Sequence, residues 1–320
     1  MSRVLVTGGA GFIGSHVAEA FLEAGWTVEI IDDLSSGRRE NVPAAARFHE
    51  GDIGDEQARA IVMNGRFDAI CHLAAQIDVR RSVADPVRDG RINVLGTLNL
   101  LEAVRESRRA TRFIASSTGG AIYGDFVEPP NVEEAAKEPV APYGVSKLSM
   151  EYYLAAHNRL HGTETLALRY TNVYGPRQDP HGEAGVVAIF CGRLLERRPV
   201  TVFGDGRQTR DYVFVGDVAR ANVAAATKPL PPPGGVDARA FNIGTSRETS
   251  VLELAKVLSS VADSEAPVEH APARPGELQR SAVRADKAAK WLGWKPEMSL
   301  RDGLARTFAW FAEQRSTTHH

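Results

Sequence analysis

Short, nearly unbroken apolar runs alternate with longer amphipathic stretches through the first half of the chain. Arg3–Thr7, Thr27–Ile31, Phe67–Leu73, Arg112–Ser116 and Thr165–Leu168 predict strands. Runs without strict polar alternation are what strands covered on both faces require. Between them, Phe12–Ala24 predicts a helix with Ile13, Val17, Ala20, Phe21 and Ala24 on one face, and Ile92–Glu106 another with Val94, Leu98, Leu101 and Val104. Such a β-α-β-α series predicts an α/β protein built on a parallel, doubly wound sheet.

The second half is less regular. Pro231, Pro232 and Pro233 stand before Gly234 and Gly235, so Pro229–Gly235 reads as a surface loop, and Ala266–Gly276 as a second proline-rich connection. Helical patterns return at Val251–Val261 and Leu300–Phe311. There is no internal repeat. The predicted division is a first domain over 1–170 with a returning segment near 211–245. A smaller C-terminal substrate-binding α/β domain is expected from 171–210 and 246–316.

Composition narrows the function classes. The 320 residues are 43% hydrophobic and 24% charged, as in a globular protein. A net charge of −2 gives no basic excess for nucleic acid or an anionic membrane. No apolar run approaches the ~20 residues of a membrane span, and Val4-Leu5-Val6 is too short for a signal peptide. Cys71 and Cys191 sit in apolar runs and read as small buried hydrophobes in a reducing, cytoplasmic setting. No close Cys/His spacing is read as a zinc site, so no metal is expected. The terminal His319-His320 is set aside as a purification remnant.

The chemistry begins at Thr7-Gly8-Gly9-Ala10-Gly11-Phe12-Ile13-Gly14, between a predicted strand and helix. In that context Gly8 permits a tight turn, Gly11 lets the backbone approach a pyrophosphate, and Gly14 allows close packing of helix on sheet. The helix N-terminus offers amide donors to the phosphates. The second strand ends in Asp32-Asp33, roughly the ~20 residues downstream expected of a ribose-binding acid. A carboxylate there accepts from a ribose 2′-OH and repels a 2′-phosphate, which favours NAD over NADP, with Arg38 and Arg39 nearby as a counterweight.

Tyr143 and Lys147 lie four apart at a predicted helix start and so share one face. Alone, such a pair is usually an exposed helical pair. After a dinucleotide turn it has a chemical use. A phenol ionises near pH ~10, and a neighbouring ammonium favours the phenolate that a base requires. Phe113-Ile114-Ala115-Ser116-Ser117-Thr118-Gly119-Gly120 runs from a strand into a loop, where the carboxyl ends of a doubly wound sheet bind ligands. Thr118 or Ser117 is therefore the candidate to hold a substrate hydroxyl beside Tyr143, the bland alternative being a turn former.

With these segments the sequence resembles the extended short-chain dehydrogenase/reductases, and within them the UDP-glucose 4-epimerase-like NAD-dependent epimerases/dehydratases. The likeness spans nearly the whole chain. It rests on Thr7–Gly14, Asp32, Gly51-Asp52-Ile53, His72-Leu73-Ala74-Ala75-Gln76, Asn93–Thr97, Ser116-Ser117-Thr118, Tyr143–Lys147, Leu168–Pro176, Arg210-Asp211-Tyr212 and Arg274-Pro275-Gly276-Glu277. It implies a Rossmann sheet and NAD as cofactor. By position, Asp52 and Ile53 would flank the adenine, Ala74, Ala75 and Asn93 would line the groove, and Tyr170 would lie near the nicotinamide. Phe12, Ile13, Asp33, Ser36, Gly37, Leu73, Gln76 and Ser116 complete the implied cofactor contacts.

On the substrate side the resemblance implies Asn172 at the diphosphate or sugar and Arg210 and Arg274 as a diphosphate clamp. Phe203 would lie by the base and Glu277 by the ribose, with Val187 and Thr201 alongside. Ser281 would control space around the sugar, and a small side chain there could admit N-acetylated sugars. Related dehydratases carry Asp-Glu directly after the catalytic threonine, where this chain has Gly119-Gly120. That departure points to return of the hydride, hence 4-epimerisation, with UDP-glucose/UDP-galactose the first expectation. The alternatives are UDP-N-acetylglucosamine or UDP-glucuronate epimerisation, a net NAD(P)H-dependent keto-sugar reductase or dehydratase, and a non-catalytic NAD sensor. Ile92–Glu106 and Ser146–Leu160 have apolar residues enough to pair two copies, so a homodimer is expected.

Overall fold

The structure, a computed structural model, describes residues 1–180, 185–274 and 278–318. The chain runs β1 (Arg3–Thr7), α1 (Phe12–Glu23), β2 (Thr27–Asp32), β3 (Arg47–Glu50), α2 (Glu56–Asn64), β4 (Ala69–His72), α3 (Val79–Ala84) and α4 (Pro86–Gly90). A π-helical turn over Arg91–Gly96 leads into α5 (Thr97–Ser107), then β5 (Arg112–Thr118), α6 (Pro142–His161) and β6 (Thr165–Tyr170). There follow β7 (Asn172–Tyr174), α7 (Val186–Leu195), β8 (Val200–Phe203), β9 (Thr209–Arg210), β10 (Tyr212–Phe214), α8 (Val215–Thr227) and β11 (Ala240–Ile243). The last elements are β12 (Thr249–Ser250), α9 (Val251–Val261), β13 (Val268–Ala271), α10 (Asp286–Leu292) and α11 (Leu300–Thr318).

Seven strands form one parallel sheet in the order β11-β6-β5-β4-β1-β2-β3. This is a Rossmann-type doubly wound sheet. Within β1, Val4 and Val6 join Val17 and Phe21 of α1 and Ala219 of α8 in one apolar layer. Leu5, between them, joins Val62 of α2, Leu101 of α5 and Met150 of α6 in the other. Each inner strand therefore needs apolar residues on both faces, the physical reason for its unbroken run. The strand order reverses between β1 and β4, and the loops leaving these two strands flank the crevice where such sheets take ligands.

Tyr174, Val187, Phe190, Val200, Leu254 and Leu304 belong to a third core, built from segments that follow β6. Ala288, Leu292 and Trp294 do not join it. They pack into the α1–α8 layer of the sheet, although 246–316 was expected to belong to the smaller domain. No helix among the described residues is long and apolar enough to cross a membrane.

Several elements differ from the sequence pattern. β3 reads Arg47-Phe48-His49-Glu50 and has no apolar run because it is the sheet's edge. On α1 the buried residues are Gly14, Ser15, Val17, Ala18 and Phe21, while Ala24 caps the helix in solvent. Leading into α5, the buried side includes Asn93 and Thr97 rather than Val94 and Leu98. These polar groups are buried cheaply because they bond internally, with the Thr97 hydroxyl donating to the Asn93 carbonyl at 2.7 Å.

Candidate active site

The turn after β1 is shaped by missing side chains. Gly8 has φ +70°, and a Cβ on it would lie 2.6 Å from the Ala74 nitrogen of the loop after β4. A Cβ on Gly14 would lie 2.0 Å from the Gly8 carbonyl oxygen. At Gly11 a Cβ would meet only that same oxygen, at 3.2 Å, so this backbone face is otherwise clear. Gly11 caps α1 without any side-chain hydrogen bond, and the first turn carries no acid. The amides there suit an anion such as a pyrophosphate.

Asp32 closes the cradle. Its Oδ2 accepts from the Ala10 amide at 2.9 Å and its Oδ1 from the Leu34 amide at 2.9 Å. Burial raises its pKa against these bonds. A Cβ on Gly37 would approach Asp32 Oδ1 to 2.7 Å, so that loop also needs a glycine. Asp33 and Ser36 are exposed, and Asp33 is engaged by the Ser35 amide and hydroxyl. Asp52 is exposed and accepts from the Gly54 amide, whereas Ile53 is a core residue beneath Gly96. An open phosphate face, a pinned carboxylate and the crevice at the strand-order reversal together fit NAD.

Thr118 ends β5, and its Oγ1 accepts from the Gly120 and Ala121 amides at 3.2 and 3.1 Å, close enough to the Tyr143 phenol at the start of α6 to act on its pKa. Burial raises the Tyr143 pKa, the Asp89 carboxylate adds to the rise, and Thr118 opposes it. Lys147 is buried too. Its ammonium donates to the Ser116 carbonyl at 2.9 Å, not to the phenol. Burial lowers its pKa to about 8, against the fields of Asp89 and Glu151. Ser117 is not brought to the pocket: its hydroxyl points the other way and donates to Glu151 at 2.5 Å. Successive residues of a strand face opposite sides, so Ser117 and Thr118 could never both reach Tyr143 from β5.

Asn93 and Gln76 hold the wall of the groove. Asn93 Oδ1 accepts from the Gln76 amide at 2.9 Å, and its Nδ2 donates to the Gln76 carbonyl, Asp89 Oδ1 and Ser146 Oγ at 3.0–3.1 Å. Ser146 in turn donates to the Tyr143 carbonyl. Asn93 therefore braces the loop after β4 against α6, with its amide spent on protein partners. His72 lies beneath, bonded to Thr7 Oγ1 at 2.8 Å and Thr97 Oγ1 at 2.9 Å. Burial, helped by the Lys147 charge, lowers its pKa to about 3, so it is neutral.

Sequence reasoning missed Asp89 and Glu151. Glu151 follows Lys147 by four as Lys147 follows Tyr143, so one helix face carries all three, and that spacing was a usable signal. Asp89 stands four before Asn93 on a segment whose π-turn no periodicity announced.

On the substrate side, a Cβ on Gly120 would lie 3.8 Å from Thr118 Oγ1 and 3.9 Å from both Asn172 Oδ1 and Ser281 Oγ. Thr118, Asn172 and Ser281 thus converge on a place kept open by a missing side chain. Arg274 stacks its guanidinium over the Phe203 ring at 3.8 Å. Arg210, half-buried on β9, donates to the Thr209 carbonyl at 2.8 Å. Thr201 is half-buried and paired with Glu269. Val187 is a core residue of the third cluster, so its side chain does not line the pocket. Tyr170 is sunk beneath the sheet with its hydroxyl paired to Asn222 at 2.8 Å. Its carbonyl faces the site and accepts from the Gly119 amide at 2.7 Å. Glu277 lies outside the described residues.

Comparison with known proteins gives concordant results. The model of the NAD dependent epimerase/dehydratase family matches residues 4–244. A UDP-glucose 4-epimerase of Mycolicibacterium smegmatis is 42% identical over 314 residues, spanning 97% of this chain and 98% of that protein. The crystal structure of a Thermotoga maritima UDP-glucose 4-epimerase with UDP-glucose superposes with a TM-score of 0.92 at 44% identity, covering 98% of this chain and 99% of the other. That of a Thermus thermophilus UDP-glucose 4-epimerase with NAD gives 0.87 at 42% identity, covering 97% and 99%.

Proposed function

Because the chain belongs to the NAD dependent epimerase/dehydratase family, we propose that it is an isomerase, a 4-epimerase interconverting UDP-glucose and UDP-galactose. The observation that carries this reading is the convergence of Thr118, Asn172 and Ser281 on the space at Gly120, with the Thr118 side chain near enough to the Tyr143 phenol to act on its pKa. The same chemistry is named for the relatives in which UDP-glucose or NAD is bound.

The Gly8–Gly14 turn, Asp32, the Ala74–Ala75 backbone and Lys147 would hold NAD. When bound, NAD supplies a reversible acceptor for a hydride of the sugar. The chain's own residues handle the proton. Tyr143 takes it from the sugar's O4 and returns it, while Thr118 holds that hydroxyl. Burial and Asp89 oppose the phenolate, which the ammonium of Lys147, one helical turn on, would favour. No acid follows Thr118 to protonate a leaving group, so the 4-keto sugar is reduced rather than dehydrated. Arg210 and Arg274 would grip the diphosphate, a task suited to planar guanidinium groups, and Phe203 and Asn172 would seat the base and sugar.

In this reading residues 1–170 and 211–245 form the cofactor domain, and 171–210 with 246–316 the substrate domain, whose segment around α10 docks back on the first. The enzyme acts in the cytoplasm with Cys71 and Cys191 as buried thiols. It is a homodimer through α5 and α6, the latter exposing Tyr152, Tyr153 and Leu160. The test is to supply UDP-galactose with no added cofactor and follow UDP-glucose by NMR. No product, or product only with stoichiometric reduced cofactor, overturns the proposal.

A further inference from the structure

Far from the catalytic end of α6, its last turn carries His157 and His161, one turn apart on the same face. Glu102 of α5 faces them. His157 is 7% exposed, and its Nε2 lies 3.0 Å from Glu102 Oε1. The two imidazole rings stand edge to face with centroids 4.9 Å apart. One nitrogen from each histidine and one carboxylate oxygen all lie within 4.8 Å of one another. Small side-chain rotations would bring three such atoms to the ~2.0–2.2 Å metal–ligand distances of zinc.

The position favours a cation: the cluster sits at the carboxyl end of a 20-residue helix, where the macrodipole presents negative partial charge. Arg105 occupies the other Glu102 oxygen at 2.6 Å, which orients the carboxylate and leaves Oε1 directed at the histidines.

We propose that Glu102, His157 and His161 form a binding site for one divalent transition-metal ion of the zinc class, clamping α5 to α6. Two imidazoles and a carboxylate are borderline ligands that suit zinc over calcium or magnesium, and water completes a tetrahedron. From the sequence no metal is expected, yet His157 and His161 stand four apart, and the third ligand comes from another helix. The site uses no residue of the catalytic pocket.

The test uses the full chain with His319→Ala and His320→Ala, so that terminal imidazoles cannot compete. Protein stripped with EDTA is titrated with Zn²⁺ against a chromophoric chelator. One ion per chain is expected, with affinity reduced more than about tenfold in His161→Ala and in Glu102→Gln. His161 is exposed at a helix end, so its removal leaves the fold intact. Saturating zinc should raise the Tm by about 3 °C or more, and His161→Ala should abolish that rise. Undiminished zinc affinity in His161→Ala, as binding by Cys71 or Cys191 would give, overturns the proposal. So does failure of the unsubstituted site to compete with the chelator.

Discussion

Arg169 and Glu151 form a buried, two-point ion pair between β6 and α6, with Nε–Oε1 at 3.0 Å and Nη2–Oε2 at 2.6 Å. Arg169 also bonds Asp237, the Tyr123 hydroxyl and the Glu133 carbonyl, and Glu151 also accepts from Ser117. The pair thus ties the helix bearing Tyr143 and Lys147 to the strand whose end supports the Gly119 loop. With its partner gone, either charge would be stranded in the core. Glu151→Ala should therefore destabilise the protein by about 3–5 kcal/mol in urea unfolding. A change below about 1 kcal/mol would show that the network relaxes around the lost carboxylate.

The orientations of Ser117 and Thr118 separate their expected effects. Tyr143→Phe should lower kcat by roughly 10²–10⁴-fold. Thr118→Val, which removes the hydroxyl beside the phenol, should lower it by roughly 10²-fold. Ser117→Ala should leave kcat nearly unchanged and lower the unfolding midpoint. Steady-state epimerisation of UDP-galactose measures the first two effects, and equal losses in Ser117→Ala and Thr118→Val would contradict the proposed roles.

Cofactor retention should depend on the glycine cradle. Gly14→Ala puts a methyl where the Gly8 carbonyl already stands. The purified variant should release little or no NAD on denaturation, while wild-type chains release close to one equivalent. Equal NAD in the two would mean that the cradle is not the cofactor's site.

The buried His72 predicts a pH signature. Its folded pKa, about 3, lies below the ~6.5 of an unfolded histidine. Between these values the unfolded chain binds the extra proton, so stability rises with pH. The contribution is fully present above about pH 6.5 and is lost as pH falls towards 3. Urea unfolding at pH 7 and pH 5 should show a smaller pH-dependent loss for His72→Gln than for wild type.

Ser281 faces the space beside Gly120, and its size should set the substrate range. Ser281→Tyr should reduce kcat/KM for UDP-N-acetylglucosamine by about tenfold or more relative to UDP-glucose, since a bulky ring costs more than the ~1–3 kcal/mol of a single methylene. An unchanged ratio between the two substrates would remove Ser281 from the sugar pocket.

Much of this protein was legible in local pattern. The five apolar runs are central strands because both faces of the sheet are covered. The first glycine turn was readable because its context, strand before and helix after, lies within a few residues. Tyr143 and Lys147 were readable because helical periodicity fixes which residues share a face. The edge strand β3 was not, since an edge needs no continuous apolar run. The displaced face leading into α5 was not, since its buried Asn93 and Thr97 are paid for by hydrogen bonds that no hydropathy pattern records.

The sequence by itself thus determined five inner strands of the sheet, the glycine turn and the Tyr–Lys face, all properties of short segments. Tertiary structure decided which neighbour lies on the phenol's side of the strand. It turned Thr118 to the phenol and Ser117 to a buried carboxylate, because pleating sends adjacent residues to opposite faces. It set Gly120, Asn172 and Ser281 around one space, and Glu102 against two histidines of another helix. Those meetings join residues tens to more than a hundred positions apart, and only the packing of complete elements brings them together.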